Sequence, residues 1–376
     1  MKSMKVRSMS PVIALALILS PAAWAQTAST TKPAEKSAAQ IQAEKQAANY
    51  EKAAKNGNAE AMFNLATCYA KGDGVKADAV LAVEWYTKAA AKNHLGAQSA
   101  LGGCYLYGVG VKPDTAQAVE WYTKAASKGH AEAQFNLGGY HALLAGVEQA
   151  RKDPDPAKIT ASYKQAVEWY KKSADQNYAA AQYNLGLCHE NGYGLPQDTA
   201  KALEWIRKAA DQDYVKAQHH LGLRYEYGDG VTKDAVQAVA WYTKAAELGF
   251  ADAQYALATC YETGTGVKQN MKQAATWLTK AADQDHAKAQ YNLGVCFANG
   301  DIKPTDETIN PHWVAFRWYR KAALAGLADA QYALAICYED GLGVEEDLIL
   351  ALRWYQKAAE QGHPDALEQV QRLQGR

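Results

Sequence analysis

Residues 181–213 read AQYNLGLCHENGYGLPQDTAKALEWIRKAADQD, and the glycines near the middle, Gly192 and Gly194, pose the first choice. A glycine pair spaced by one residue opens many phosphate-binding loops. Here the same form returns as GDGV at Gly72, GVGV at Gly108, GDGV at Gly228, GTGV at Gly264 and GLGV at Gly341. Six phosphate loops in one chain make no chemical sense. No third glycine completes a dinucleotide loop, no Walker lysine follows, and no strand pattern precedes. The pair is therefore a turn between helices.

Both flanks of the turn carry a helical period. Ala181, Leu185 and Cys188 fall at i, i+4 and i+7, one face of a first helix. In the second pattern, Ala118, Trp121, Tyr122, Ala125 and Ala126 again share one face. The glycine stops the first helix by taking the left-handed geometry that side chains with a β-carbon resist. Asp78, Asp114, Asp198, Asp234, Asn270 and Asp347 stand seven residues before a tryptophan, as N-caps of the second helix. Ser162 holds that place in the third unit, and Asn310 before Pro311 serves the seventh. Gly129, Gly249, Gly326 and Gly362, or Asn93, Asn177, Asp213 and Asp285, end the second helix; all tolerate the left-handed stop.

The tryptophans set the period. Trp85, Trp121, Trp169, Trp205, Trp241, Trp277, Trp318 and Trp354 are 36, 48, 36, 36, 36, 41 and 36 residues apart. A period in this range marks stacked helical units. The quoted pattern resembles the Sel-1-like repeat family, a relative of tetratricopeptide repeats, and the resemblance covers residues 59–363. The expected fold is all-α: a right-handed α-solenoid of about eight two-helix repeats with half-repeat caps at both ends. The expected units are 59–94, 95–130, 131–178, 179–214, 215–250, 251–286, 287–327 and 328–363. Residues 38–58 are expected to form the N-terminal capping helix, with Tyr50 at the Tyr86 position. Residues 364–376 form the C-terminal one, with Ala366, Val370 and Leu373 facing inward.

The first residues differ in kind. Lys2, Lys5 and Arg7 precede the apolar run PVIALALILS, and AWA ends at Ala25. This is the layout of a secretory signal peptide, cut after Ala25. It implies a periplasmic or secreted protein with no transmembrane segment after cleavage. Residues 26–37 read as a flexible linker. Lys+Arg and Asp+Glu both total 40, so no basic excess points to nucleic acid.

Two units break the period. The third is 12 residues longer than the 36-residue units, and its HALLAGVEQARKDPDPAKITASYKQ replaces the glycine turn. Extension of its first helix, with a turn at KDPDP, is expected. The seventh is five residues longer, at GDIKPTDETINPHW. Such insertions are either drifted loops or loops that reach a partner.

Candidates for chemistry thin out on inspection. Cys68, Cys104, Cys188, Cys260, Cys296 and Cys337 occupy one position, one in each of six repeats, with Tyr140 and Arg224 in that place in the other two. Stacked equivalent helices lie about 8–10 Å apart, too far for disulfides, which need Cα atoms within about 7 Å. Mostly free, buried thiols are expected. His94, His130, His286 and His363 share a turn position. No HExxH or CxxC stands in the chain, so no metal ligand set is assigned. No GxSxG exists, and SxxK occurs in the mature chain only at Ser29–Lys32, in the linker. Neither a catalytic residue nor a cofactor is expected.

A surface remains. Resemblance to tetratricopeptide arrays implies that the first helices line a concave groove. The position two before the repeat leucine, expected opposite the core, holds Phe63, Phe135, Tyr183, His219, Tyr255, Tyr291 and Tyr332. Beside it run Asn64, Asn136, Asn184 and Asn292, whose amides suit a peptide backbone. Five after the leucine stand Ala70, Leu106 and Ala142, then Glu190, Glu226 and Glu262, then Ala298 and Glu339. These side chains either pack against their neighbours or form a contact face, in which case aromatic rings beside carboxylates suit a basic or amphipathic peptide segment, with its apolar end toward the first units. The resemblance implies a scaffold for protein–protein interaction in envelope assembly, secretion, signalling or host contact. The rival reading is a binder or weak hydrolase of cell-wall or β-lactam-like compounds, as in cysteine-rich secreted relatives that bridge two cysteines within a repeat. This sequence lacks the second cysteine. A core role for the repeat tryptophans completes the expectations.

Overall fold

The computed structural model describes residues 37–304, 306 and 308–375. The expected signal peptide and all of the linker except Ser37 lie outside them. Among the described residues there are eighteen helices and no strands. The chain divides into two compact units at Lys208/Ala209.

The first unit holds α1 (Ala38–Lys55), α2 (Ala59–Lys71), α3 (Ala79–Ala91), α4 (Leu95–Tyr107), α5 (Thr115–Ser127), α6 (Ala131–Gln149), α7 (Pro156–Ala174) and α8 (Ala179–Asn191). The division falls near the end of α9 (Thr199–Ala210). The second unit continues with α10 (Val215–Tyr227), α11 (Ala235–Glu247), α12 (Ala251–Thr263), α13 (Met271–Ala282), α14 (Ala287–Ala298), α15 (Pro311–Leu324), α16 (Ala328–Asp340), α17 (Leu348–Glu360) and α18 (Ala366–Gln374). From α2 onward the helices alternate between a first type, A, and a second type, B. The fold is an all-α solenoid of eight two-helix repeats.

Local chemistry explains the boundaries. Ser37 and Gln40 close a capping box at the start of α1, each side chain accepting the other's backbone N–H. Asp78, Asp114, Asp234, Asn270 and Asp347 accept backbone N–H groups in the first turn of their B helices. Asp198 accepts from Lys201 at 3.0 Å. The third repeat departs from expectation. Its cap is Asp155, not Ser162, because Pro156 is pre-set for the first helical position and α7 begins two turns early. α6 is extended to match, and both run 19 residues.

The two glycines of the turn do different work. The first, as at Gly264, ends the A helix with a φ of 73°. The second lies against the preceding B helix. A β-carbon on Gly266 would stand 2.1 Å from the carbonyl oxygen of Ala235, and one on Gly110 would stand 2.2 Å from that of Ala79. Gly74, Gly194 and Gly343 meet Ala43, Tyr163 and His312 in the same way. Backbone thus packs on backbone between repeats, and no side chain fits the seam.

A second device ties the repeats through the glutamine of AxAQ. Gln98, Gln134, Gln182, Gln218, Gln254, Gln290 and Gln331 are buried. Each donates Nε2–H to a carbonyl near the end of the preceding B helix, as Gln254 does to Ala246 at 3.1 Å. Those carbonyls have no partner within their own helix. Gln254→Met, which copies Met62 of the first repeat, is expected to cost about 1 kcal/mol: the Ala246 carbonyl keeps the Gly249 N–H at 3.0 Å but loses its second donor, and Gln284 loses the Gln254 side-chain oxygen as an acceptor. Urea unfolding of the variant checks this.

The core corrects the expectation for tryptophan. All eight repeat tryptophans are only half-buried. The residue after each is the deeply buried one: Tyr86, Tyr122, Tyr170, Ile206, Tyr242, Leu278, Tyr319 and Tyr355. Both positions fall on one helical face, but the second points into the repeat's own core. The tryptophan bridges clusters; Trp277 packs against two neighbouring cores, and so does Trp354. A lysine three residues on covers each indole, 3.9 to 4.5 Å from the ring. The six cysteines are buried and free. Burial pushes the thiols up, Cys188 to about 12 and Cys104 to about 11, so they stay protonated and inert at neutral pH.

Candidate binding surface

The aromatic row of the A helices is not an exposed patch. Phe63 stacks on His94 at 4.6 Å and leans on Tyr86 at 5.7 Å. Phe135 is buried between Tyr170 and Tyr178. His219 sits 5.6 Å from Tyr242 and 5.4 Å from Phe250. Tyr255 stacks on His286 at 4.9 Å and Tyr332 on His363 at 4.3 Å, while Tyr291 leans on Tyr319 at 5.8 Å. Tyr183 is half-buried. The position expected opposite the core therefore forms a rung, wedged between the B helix of its own repeat and the start of the next A helix.

The histidines complete the rung, a role that their shared turn position alone did not reveal. His94 Nδ1 accepts the Ala97 N–H at 3.0 Å, so Nε2 carries the proton and donates to Glu60 at 2.9 Å. His286 repeats this with Ala289 at 3.1 Å and Asp252 at 3.3 Å. His363 faces Asp329 at 3.6 Å. In His94 and His286, one imidazole thus caps an A helix and holds the acid of the previous repeat; His363 only faces the acid. The signal was present as an acid 34 residues before each of these three histidines.

The carboxylate row also turns partly inward. The Tyr242 hydroxyl donates to Glu226, and the Tyr355 hydroxyl donates to Glu339 at 2.9 Å. Glu339 also pairs with Arg372 of α18. Glu262 stands in the same place opposite Leu278, which has no hydroxyl, and its charge reaches the buried Cys296 thiol. Glu190 is half-buried opposite Ile206. Asn64, Asn136, Asn184 and Asn292 are all half-buried. Asn136 joins Leu106, Tyr107, Val119, Tyr122, Tyr140 and Leu143 around a small cavity of about 30 Å³ between the second and third repeats. A larger, open cleft lies between the extended α6–α7 pair and the turn of the fourth repeat. It is lined by Ile159, Tyr163, Lys164, Tyr193 and Leu195.

His219 makes this surface pH-sensitive. Burial lowers its pKa to about 4, although Asp252 pulls the other way. The unfolded chain, near 6.5 for this group, binds a proton that the folded chain refuses. Stability therefore rises with pH through this window: it is complete above about 6.5 and is lost as pH falls toward 4. The expected loss between pH 7 and pH 4 is about 3 kcal/mol. His219→Phe removes this component, as urea unfolding of both proteins at the two pH values checks.

The recurring turn, cap and glutamine now meet the comparisons with known proteins. The Sel1 repeat matches residues 59–94, 96–130, 131–178, 179–214, 215–250, 251–286, 287–327 and 328–363. The chain belongs to the Sel1 repeat family. Among solved structures, a protective antigen of uropathogenic Escherichia coli displaying an SLR fold is 33% identical, with a TM-score of 0.64. The match covers 86% of this chain and 66% of that one, so this chain spans just under two thirds of that relative. A Sel1 repeat protein from Oxalobacter formigenes is 30% identical, with a TM-score of 0.57, over 94% of this chain and 99% of that one. A comparison with curated protein sequences finds no match. Sel1 repeats mark a scaffold for protein–protein interaction, in a family that is generally non-catalytic. Among the described residues, no group of three His, Cys, Asp or Glu side chains is placed to hold a metal ion. No described helix is long and apolar enough to cross a membrane.

Proposed function

We propose that this Sel1 repeat protein is a non-catalytic scaffold of the periplasm or extracellular space that holds partner proteins on the faces of its A helices. The observation that carries this reading is the contrast within each repeat. Turn glycines, glutamines and buried leucines recur because they build the seams. The position five after the leucine does not recur: it runs Ala70, Leu106, Ala142 and Glu190 in the first unit and Glu226, Glu262, Ala298 and Glu339 in the second. Ala70 and Ala142 of this row are core residues, and Glu226 and Glu339 hold buried tyrosines; the remaining members, Glu262 foremost, are the ones able to encode a partner.

In the second unit, Glu262 is the carboxylate of this row that faces no tyrosine hydroxyl. Together with the partly exposed edges of Tyr255 and Tyr291, it suits a basic or amphipathic segment. The single, buried cysteine of each such repeat separates this chain from the disulfide-bridged relatives behind the rival cell-wall reading.

Two measurements test the proposal. N-terminal sequencing of the protein from a periplasmic extract is expected to begin at Gln26; an intact Met1 in a cytosolic fraction overturns the location. Cross-linking of the full chain in that extract, followed by mass spectrometry, is expected to join A-helix residues to one recurring partner. Calorimetry at low salt then compares the partner's affinity for the protein and for Glu262→Gln. An unchanged affinity with the fold intact removes Glu262 from the binding face.

A further inference from the structure

One exposed position changes its charge along the array. The residue before each repeat tryptophan is Glu84, Glu120, Glu168 and Glu204 in the first four repeats, then Ala240, Thr276, Arg317 and Arg353. All eight are exposed on the B helices. The glutamate stands four residues before the lysine that covers the indole. Glu120 meets Lys124 at 2.7 Å, and Glu204 meets Lys208 at 2.7 Å. In the last four repeats the lysine keeps its place over the ring but has lost this acid. Among the described residues, none of Lys244, Lys280, Arg317, Lys321, Arg353 and Lys357 is in an ion pair.

The fold gains nothing from the exchange. Glutamate four residues before lysine supports a helix, whereas arginine in its place sets like charges four apart on one exposed face. Arg317 with Lys321 and Arg353 with Lys357 are such pairs, on α15 and α17 of the second unit. The same two helices expose apolar side chains next to these cations. Trp313 and Ile349 share a position five before the repeat tryptophan, one turn from Arg317 and Arg353. They are 42% and 68% exposed, and Leu348 is 42% exposed. The Arg317 guanidinium lies over the Trp313 ring at 4.8 Å. Stacked equivalent helices lie about 8–10 Å apart, and the turn at Gly343, which leads into α17, rests on the backbone of His312 and Trp313. One face thus joins two arginines, two lysines and three apolar side chains. Exposed apolar surface rimmed by polar groups marks a contact site. Arginine adds a planar fork that takes a carboxylate with two hydrogen bonds.

We propose that this outer face of α15 and α17 docks an acidic segment of a partner protein, its carboxylates on Arg317 and Arg353 and its apolar side chains over Trp313, Leu348 and Ile349. Charge decides against a membrane as the occupant. Glu345 and Glu346 are exposed on the turn before α17, and Glu360 is exposed at its end. An anionic bilayer would press its headgroups on all three. A segment sets its acids over the arginines alone. The face belongs to B helices, not to the A-helix row around Glu262, and its partner carries the opposite charge. Either site can therefore fail without the other.

The test begins from a peptide library. Short peptides displayed on phage are selected on the full chain and, in parallel, on the Arg317→Glu/Arg353→Glu variant. That variant copies the first four repeats, so its helices keep their stability. Peptides enriched on the protein and lost on the variant are expected to combine Asp or Glu with apolar residues. The most enriched one is synthesised, and calorimetry at low salt reads its affinity. Arg317→Glu/Arg353→Glu is expected to weaken it about ten-fold or more, and Trp313→Ala about five-fold. Lys76→Glu/Lys112→Glu makes the same charge change at exposed lysines of the first unit and is expected to leave the affinity unchanged. Circular dichroism checks each fold. Equal losses in the two double variants reduce the effect to net charge and overturn the site. Enrichment of no acidic peptide overturns it as well. Binding of phosphatidylglycerol vesicles, lost in Arg317→Glu/Arg353→Glu and with no acidic peptide bound, replaces the protein partner by a membrane.

Discussion

Gly266→Ala is expected to lower stability by about 4 kcal/mol, read as a loss of thermal and urea resistance. Two costs combine. The φ of 72° strains any residue with a β-carbon. The added carbon then meets the Ala235 carbonyl oxygen at 2.1 Å, and a main chain inside a helix cannot step aside. Gly249→Ala separates the two costs. Its φ is 89°, but nothing lies within 4 Å of the added carbon. That variant is expected to lose only about 1 kcal/mol. Equal losses in the two variants would mean that backbone strain alone explains the glycines and that the seam contact contributes nothing.

The second large effect belongs to Tyr242. Its side chain is fully buried, and its hydroxyl holds Glu226. Tyr242→Ala is expected to cost about 3–5 kcal/mol, as for other emptied aromatic core sites. The neighbouring Trp241→Ala is expected to cost about 1–2 kcal/mol, because the ring is half-buried and much of its contact is with the flexible Lys244. Calorimetric melting of the pair decides the order, and a larger loss in Trp241→Ala would reverse the assignment of core and seal.

The tryptophan–tyrosine pair also shows where sequence reading stopped. Helical periodicity placed both residues on the buried side of the B helix, and both are on it. Periodicity resolves a face to about a quarter turn. It does not say which neighbour lies inside the repeat and which lies between repeats. Turns and caps were legible because their chemistry is local: Asp78 caps a helix start two residues away, and Gly264 ends the helix it follows. Ser162 misled because Asp155 and Pro156 offered a stronger start further upstream. Contacts between helices were the least legible. Glu226 and Tyr242 are 16 residues apart, and His94 and Glu60 are 34 apart. Each pair makes sense only once the helices are stacked. For the candidate face the sequence leaves packing and partner contact both open, and the structure engages many of these groups in joining the repeats.

The second glycine of each turn also has a mechanical consequence. Pulled from its two ends, a protein gives way at its weakest junction. Here the junctions at Gly74, Gly110, Gly194, Gly266 and Gly343 share one construction, a turn seated on the main chain of the helix before it. Among these five, no junction is marked to break first. A force–extension trace should then show a train of similar, modest peaks. Each would release about one repeat of chain, roughly 120 Å of contour, so the array would behave under load as an extensible spring that lengthens by whole repeats.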